Sequence, residues 1–466
     1  MTAPLLVVGL DAGTPDLIER WMADGAMPFL AGLAERGGAA PLEGEELMME
    51  DGVWLSLFSG RPRGELNRHT YRQLRDGGYE LALADPAEQP PAPMFWEGPV
   101  SSGRSVAVVD VPALPPSPGS CARHVAFWGP HGVSRPLAST PPELAAEVRA
   151  LAPQMDIVRD HVEATSERAD AKFFSDILES VERRGRIARA VIEGDCELAV
   201  VVFSETHTAG HRLWENERRL REVHSAVDRE IAATAQAMGE ETRVVTLAAN
   251  GLDRRGPVDA LMADFCRRLG YSPAPSGVRR PADVLARRAP RRLRALAARA
   301  IARSGVNRVA IERFGSASDW SRTRAFAIPD SFVGMIRVNL AGREPAGIVR
   351  PGSDYEDTVA ALQEDLLALR DPGTGDAAIE RVARMRAADG GPPERCPDVV
   401  ATFTGHEPPL RVLEHPRGTI RQPDPWWAAR NGHSARGMVV GAGAGPIACT
   451  DVAPSILSMV GAPASA

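Results

Sequence analysis

The sequence predicts an α/β protein whose mainly parallel sheet is sandwiched by helices, and three observations carry that prediction. Short apolar runs recur along the 466 residues: "LLVVGLD" (5–11), "SVAVVDVP" (105–112), "LAVVVFSE" (198–205), "RVVTLAAN" (243–250), "DVVATFTG" (398–405) and "GMVVGAGAG" (437–445). The six consecutive apolar residues from Leu198 to Phe203 read as a strand covered on both faces. Helix-period patterns separate most of the runs, the rhythm of strand–helix–strand crossovers.

Taken in order, the first run enters "DAGTPDLIERW", where Asp11 closes a strand and a helix begins. On local evidence Asp11 reads equally as a helix cap and as a functional carboxylate. The run at 198–205 passes into "THTAGHRLW", with a long amphipathic helix from Arg212 onward. His207 and His211 therefore sit at the carboxyl end of a strand, where ligands collect in open α/β sheets. Their spacing of four puts both on one face of a helical turn, as a metal pair requires, while a structural role for both is the alternative. "RVVTLAAN" ends on Asn250, and "ARNGHSARG" brings His433 just ahead of the last run. Residues 1–255 and 325–466 read as the α/β core. Residues 256–324 read as a small helical insertion or cap containing "GVRRPADVLARRAPRRLRALAARAIARSG" (277–305), either a solvated helix pair or a basic docking face.

A formal charge of −7 argues against nucleic acid as a partner. The N-terminal apolar run lacks a basic flank and is too short for a signal segment. No later segment approaches ~18 uninterrupted apolar residues, so a cytoplasmic protein that does not enter the membrane is expected. The five cysteines form no CxxC, which indicates neither a disulfide framework nor a thiolate metal site. Lys172 is the only lysine, so chemistry that needs a lysine has one candidate.

The order of these elements resembles the alkaline phosphatase superfamily, and within it the type I phosphodiesterase and nucleotide pyrophosphatase-like branch. "VVGLDAGTPDLIERWMADGAMPFLAGLAERG" is similar to that branch's opening strand, metal aspartate and first helix. "VWLSLFSGRPRG" resembles its nucleophile helix, "IRVNLAGREPAGIV" its late strand, and "HSARGMVVGAGAGPIACTDVAPSILSMVGAP" its terminal metal histidine and closing helix. The fold implied is alkaline phosphatase-like.

The resemblance also implies two adjacent metal sites. One takes an aspartate, a histidine four residues later and the terminal histidine; the matching positions here are His207, His211 and His433. Three neutral imidazoles suit Zn²⁺, with Fe²⁺ or another first-row divalent ion as alternatives, and leave a fourth position open. The second site takes the first-strand aspartate, a Ser or Thr nucleophile and an Asp-His pair. Asp11 matches, but the nucleophile position, four residues before Trp54, is Glu50, and the pair falls on Ala249 and Asn250. Met49 and Asp51, on either side of Glu50, are not hydroxyl residues either. Without nucleophile and second ion the covalent phosphoenzyme route is closed. Glu50 is then the first candidate for a general base or extra ligand, followed by Glu205 and Asp11. Asn250, Arg337, Arg343 and Arg436 are candidates for anion contacts, with a structural tie as the alternative for the arginine of "NLAGREP".

The leading expectation is a single-metal enzyme that hydrolyses an ester, phosphoester or sulfate-type bond with metal-activated water. A metal-dependent transfer, cyclisation or elimination on a specialised metabolite stays open beside it, as does a non-catalytic binding relative. The expected partner is a small-molecule substrate, anionic or carrier-tethered, rather than nucleic acid or a membrane.

Overall fold

The computed structural model describes residues 3–49, 52–68, 72–75, 77–83, 90, 92–117, 119, 122–129, 136–155, 167–273, 319–330, 332–405, 410–422 and 431–462. They group into two compact units, one of Met1–Pro62, Asp85–Leu252 and His433–Ala466, the other of Arg63–Ala84 and Asp253–Gly432. Residues 325–432, read with the core from sequence, group in the second unit. The Arg-rich stretch 277–305 lies outside the described residues.

The first unit is built on a nine-stranded sheet. Five strands run parallel, in the spatial order Arg243–Ala249, Leu5–Asp11, Leu198–Phe203, Val106–Val109 and Ala122–Ala126. Beyond Arg243–Ala249 the sheet continues with Gly437–Val440, antiparallel to it, then Ala39–Glu43 and Ile447–Ala448. Ala138–Thr140 closes the opposite edge antiparallel. All seven residues of Leu5–Asp11 and all six of Leu198–Phe203 are buried, as expected of strands with helices over both faces. The expected fold class, a mostly parallel sheet flanked by helices, is what the chain forms.

The helices Glu167–Val191 and Glu217–Met238 bury apolar stripes at helical spacing, Phe173, Ile177 and Val181 on one and Leu220, Val223, Val227 and Ile231 on the other. Asn216 caps the second, accepting the Arg219 amide at 3.2 Å. Asp228, inside that helix, accepts the Phe29 and Leu30 amides at 3.0 and 2.9 Å and so caps the helix Pro28–Gly37 from a distance. Lys172 pairs with Asp176 at 2.7 Å on an exposed face, a surface ion pair with no catalytic setting.

In the second unit a four-stranded antiparallel sheet orders Ala325–Ile328, Val333–Val338, Val399–Phe403 and Ile379–Arg384. The helices Asp259–Arg268 and Ser353–Leu367 share a core with it through Leu261, Phe265, Tyr355, Val359 and Leu362. This corrects the expectation for "DVVATFTG": its strand belongs to an antiparallel sheet. No helix among the described residues is long and apolar enough to cross a membrane.

Two buried histidines make the first unit acid-sensitive. His124 accepts the Ser117 amide on Nδ1 at 3.0 Å, and burial pushes its pKa down to about 3. Burial lowers His224, whose Nδ1 meets the Leu220 carbonyl at 3.0 Å, to about 4. Both stay neutral in the fold while the unfolded chain takes up protons below about 6.5. The stability they allow is therefore complete above about pH 6.5 and is lost as pH falls toward 4, at about 1.4 kcal/mol per pH unit for each group. Denaturant unfolding at pH 7.5 and 5.0 checks this. His224→Phe, which keeps a ring against Trp21, should remove its share of the slope; an unchanged slope contradicts the assignment.

Candidate metal centre

Strand direction assembles the site. Asp11 pairs in register with Ala249 and Leu10 with Phe203, so three parallel strands end at one edge of the sheet. Gly437–Val440 runs the other way, with Met438 opposite Ala248, so it starts at that same edge. The Ser434 amide donates to the Gly251 carbonyl at 2.6 Å and the Gly251 amide to the Arg436 carbonyl at 2.8 Å, which fastens His433 there. His207 and His211 lie in the helix Glu205–Leu213, which follows the strand Leu198–Phe203 directly; the long amphipathic helix expected from Arg212 onward begins at Glu217 instead. The Thr206 hydroxyl donates to the Asp11 carbonyl at 2.6 Å and ties helix start to strand end.

His207, His211 and His433 meet at this edge. All three are buried, and their ring centroids are 4.8, 4.8 and 5.0 Å apart. One donor atom from each lies within 4.8 Å of the others. His211 Nε2 and His433 Nε2 approach to 3.1 Å, where two lone pairs repel unless a proton or cation lies between. Nitrogens about 2.0–2.1 Å from a tetrahedral ion stand roughly 3.3 Å apart, so these two are already near ligand spacing. The donor set fits a divalent first-row ion.

Asp11 reaches this cluster through His207, its Oδ2 lying 3.1 Å from His207 Nδ1. The Trp54 indole donates to its other oxygen at 2.9 Å. Trp54 was legible in the sequence only as a helix landmark. The glycine inside the buried first strand was the usable signal, since a strand glycine marks a close approach. A Cβ on Gly9 would stand 2.6 Å from Cη2 of Trp54.

Glu205 is occupied elsewhere, which corrects its candidacy as a base. Its two oxygens accept from Ser180 Oγ and Arg184 Nε, both at 2.7 Å. Arg184 also donates to Asp110 at 2.8 Å and to Ser204 Oγ at 3.0 Å. Burial works against the Arg184 charge, but Glu205 and Asp110 outweigh it and hold the guanidinium above its ordinary pKa. Glu50 lies outside the described residues.

Among the candidates for anion contact, Arg337 donates to Glu344 at 2.7 Å and to the Pro393, Glu394 and Cys396 carbonyls. Arg343 grips Asp398 through both carboxylate oxygens at 2.8 and 2.7 Å. Burial opposes the Asp398 charge, yet Arg343 holds that carboxyl below its usual range. Both arginines are ties of the second unit, Arg337 buried and Arg343 half-buried, and for Arg343 this is the alternative reading given for "NLAGREP". Arg436 makes a half-exposed pairing with Asp16 at 2.9 Å. Asn250 is buried in the left-handed region, φ 52°, with its amide nitrogen on the Leu47 carbonyl. Its Oδ1 has no hydrogen-bond partner among the described residues.

Residues 5–255 match the family model described as type I phosphodiesterase / nucleotide pyrophosphatase. Among solved structures the chain is similar to phosphonoacetate hydrolase from Sinorhizobium meliloti 1021, in complex with phosphonoformate and with phosphonoacetate. Both comparisons give 14% identity over 99% of this chain and 96% of that chain, with TM-scores of 0.54 and 0.53. It is also similar to murine ectonucleotide pyrophosphatase / phosphodiesterase 5, at 10% identity over 100% of this chain and 96% of that one, with a TM-score of 0.48. No curated protein sequence matches. The likeness to the phosphonoacetate hydrolase shows a common fold.

Proposed function

The chain belongs to the type I phosphodiesterase / nucleotide pyrophosphatase family, a family of hydrolases, and from that premise we propose a single-metal hydrolase that lacks the family's covalent step. The observation that carries the reading is the pairing of three convergent imidazoles with a dismantled second site, where Ala249 stands in register with Asp11 and the Asn250 amide is turned to a backbone carbonyl. His207, His211 and His433 would hold the ion, Zn²⁺ before Fe²⁺ on the chemistry of three neutral nitrogens. An ion bound there supplies Lewis acidity to a substrate oxygen and acidity to water.

The remaining chemistry falls to the chain's own side chains. Glu50, in the sequence position of the missing hydroxyl, moves the proton. Asn250, through its unpaired oxygen, and Arg436, through its exposed guanidinium, contact an anionic or carrier-tethered small molecule. The bond cleaved is an ester, phosphoester or sulfate-type bond. A transfer, cyclisation or elimination draws on the same loss of the nucleophile.

Assay of the metal-loaded protein against the three ester classes, with product analysis and Glu50→Gln beside it, tests the reading. Turnover should fall by roughly 10² to 10⁴ in Glu50→Gln while the metal stays. A Ser or Thr phosphorylated during turnover would sink it, and a rearranged substrate without uptake of water would favour the non-hydrolytic reading.

A further inference from the structure

We propose that Asp11 is a positioning residue of the metal centre: its carboxylate holds the His207 ring with Nδ1 protonated and Nε2 turned to the ion, and Asp11 is not itself a ligand. The inference rests on the single-metal reading above. Its ground is a relay of four residues. Gly9 lets the Trp54 ring lie on the first strand, since a Cβ there would stand 2.6 and 2.8 Å from two ring carbons. Trp54, seated on that strand, brings Nε1 to 2.9 Å from Asp11 Oδ1. With one oxygen held, the other lies 3.1 Å from His207 Nδ1.

A carboxylate against one imidazole nitrogen fixes the tautomer, so the other nitrogen carries the lone pair. It also makes that nitrogen a stronger donor to a metal, and partners of this kind typically contribute 10- to 100-fold to metal affinity. The surroundings point the same way. The side chain in register with Asp11 is Ala249, which offers no donor to a shared second ion. Both the Trp54 ring and the Asp11 carboxylate are buried, so the relay is set by packing rather than by solvent. An aspartate placed for a second metal is here bonded to a histidine of the first.

Cobalt(II) serves as the probe, with affinity read by chelator competition and geometry by visible ligand-field bands, in wild type, Asp11→Ala, Asp11→Asn, Trp54→Phe and His207→Ala. Wild type and both Asp11 variants should each take one ion. Asp11→Ala should bind about 10- to 100-fold more weakly with altered bands, and Asp11→Asn, which keeps the volume and loses the charge, about tenfold more weakly. Trp54→Phe should shift the bands in the same direction by less, and His207→Ala should lose far more affinity than any of them. Asp11→Asn carries the test if Asp11→Ala does not fold. Unchanged affinity and bands in the Asp11 variants overturn the proposal, and a loss equal to that of His207→Ala makes Asp11 a ligand and also overturns it. Failure of wild type to bind cobalt sinks the single-metal reading instead, and this inference with it.

Discussion

His433→Ala leaves a folded protein that no longer retains metal or turns over substrate. One of three ligands is removed, and the remaining pair on the helix Glu205–Leu213 supplies only two nitrogens to an ion that takes four donors. The fold should survive, because Ser434 and Arg436 keep their backbone bonds to Gly251 whatever side chain residue 433 carries. Metal content after dialysis should fall from one ion per chain to none. A thermal readout gives the same answer without a substrate. An ion at about 100 times its Kd stabilises the protein that binds it by about 2.7 kcal/mol. Added metal should therefore raise the Tm of metal-free wild type and leave that of His433→Ala unmoved. Two ions per wild-type chain, or full retention by the variant, would contradict a lone three-histidine centre.

How much of this was legible in the sequence depends on what each signal encodes. His207 and His211 are legible because an i, i+4 pair at a strand end is a local feature, whereas His433 carries no local signal and is singled out only by the resemblance of its segment to the family's terminal metal histidine. Strand burial was equally visible, but burial does not say which way a neighbour runs. The strands of "DVVATFTG" and "LAVVVFSE" are both buried throughout, yet one lies in an antiparallel sheet and the other in a parallel array. The carboxylates were the hardest to assign, because the partner decides the role and the partner is distant in sequence. Glu205 sits two residues from His207 but is claimed by Arg184, 21 residues earlier, while Asp11 meets His207 from 196 residues away. Arg337 and Arg343 were weighed as anion contacts because an exposed and a buried arginine look alike until Glu344 and Asp398 are seen beneath them.

Arg184→Met should destabilise the protein by about 3–5 kcal/mol, although the new side chain is close to the arginine stem in size. Arg184 lies on the buried stripe of the helix Glu167–Val191, seven residues past Ile177 and three past Val181, so its charge has no route to water. It is held there by Glu205 and Asp110, and its guanidinium lies 5.3 Å over the Trp128 ring. Even Gly129 is constrained by it, since a Cβ there would stand 1.9 Å from an Arg184 nitrogen. Removing the cation strands two buried carboxylates. Asp110 keeps the Trp128 and Gly129 amides at 2.9 and 2.6 Å, and Glu205 keeps the Ser180 hydroxyl. These bonds blunt the penalty without cancelling it, because hydrogen bonds do not neutralise two negative charges. The damage also reaches function, since Glu205 opens the helix that carries His207 and His211. Denaturant unfolding of wild type, Arg184→Met and the double variant Arg184→Met/Glu205→Gln measures it. The double variant should regain part of the loss, because its second substitution removes one of the two stranded charges and keeps an oxygen for the Ser180 hydroxyl. A single variant as stable as wild type would contradict the assignment of Arg184 as the tie that holds the helix start.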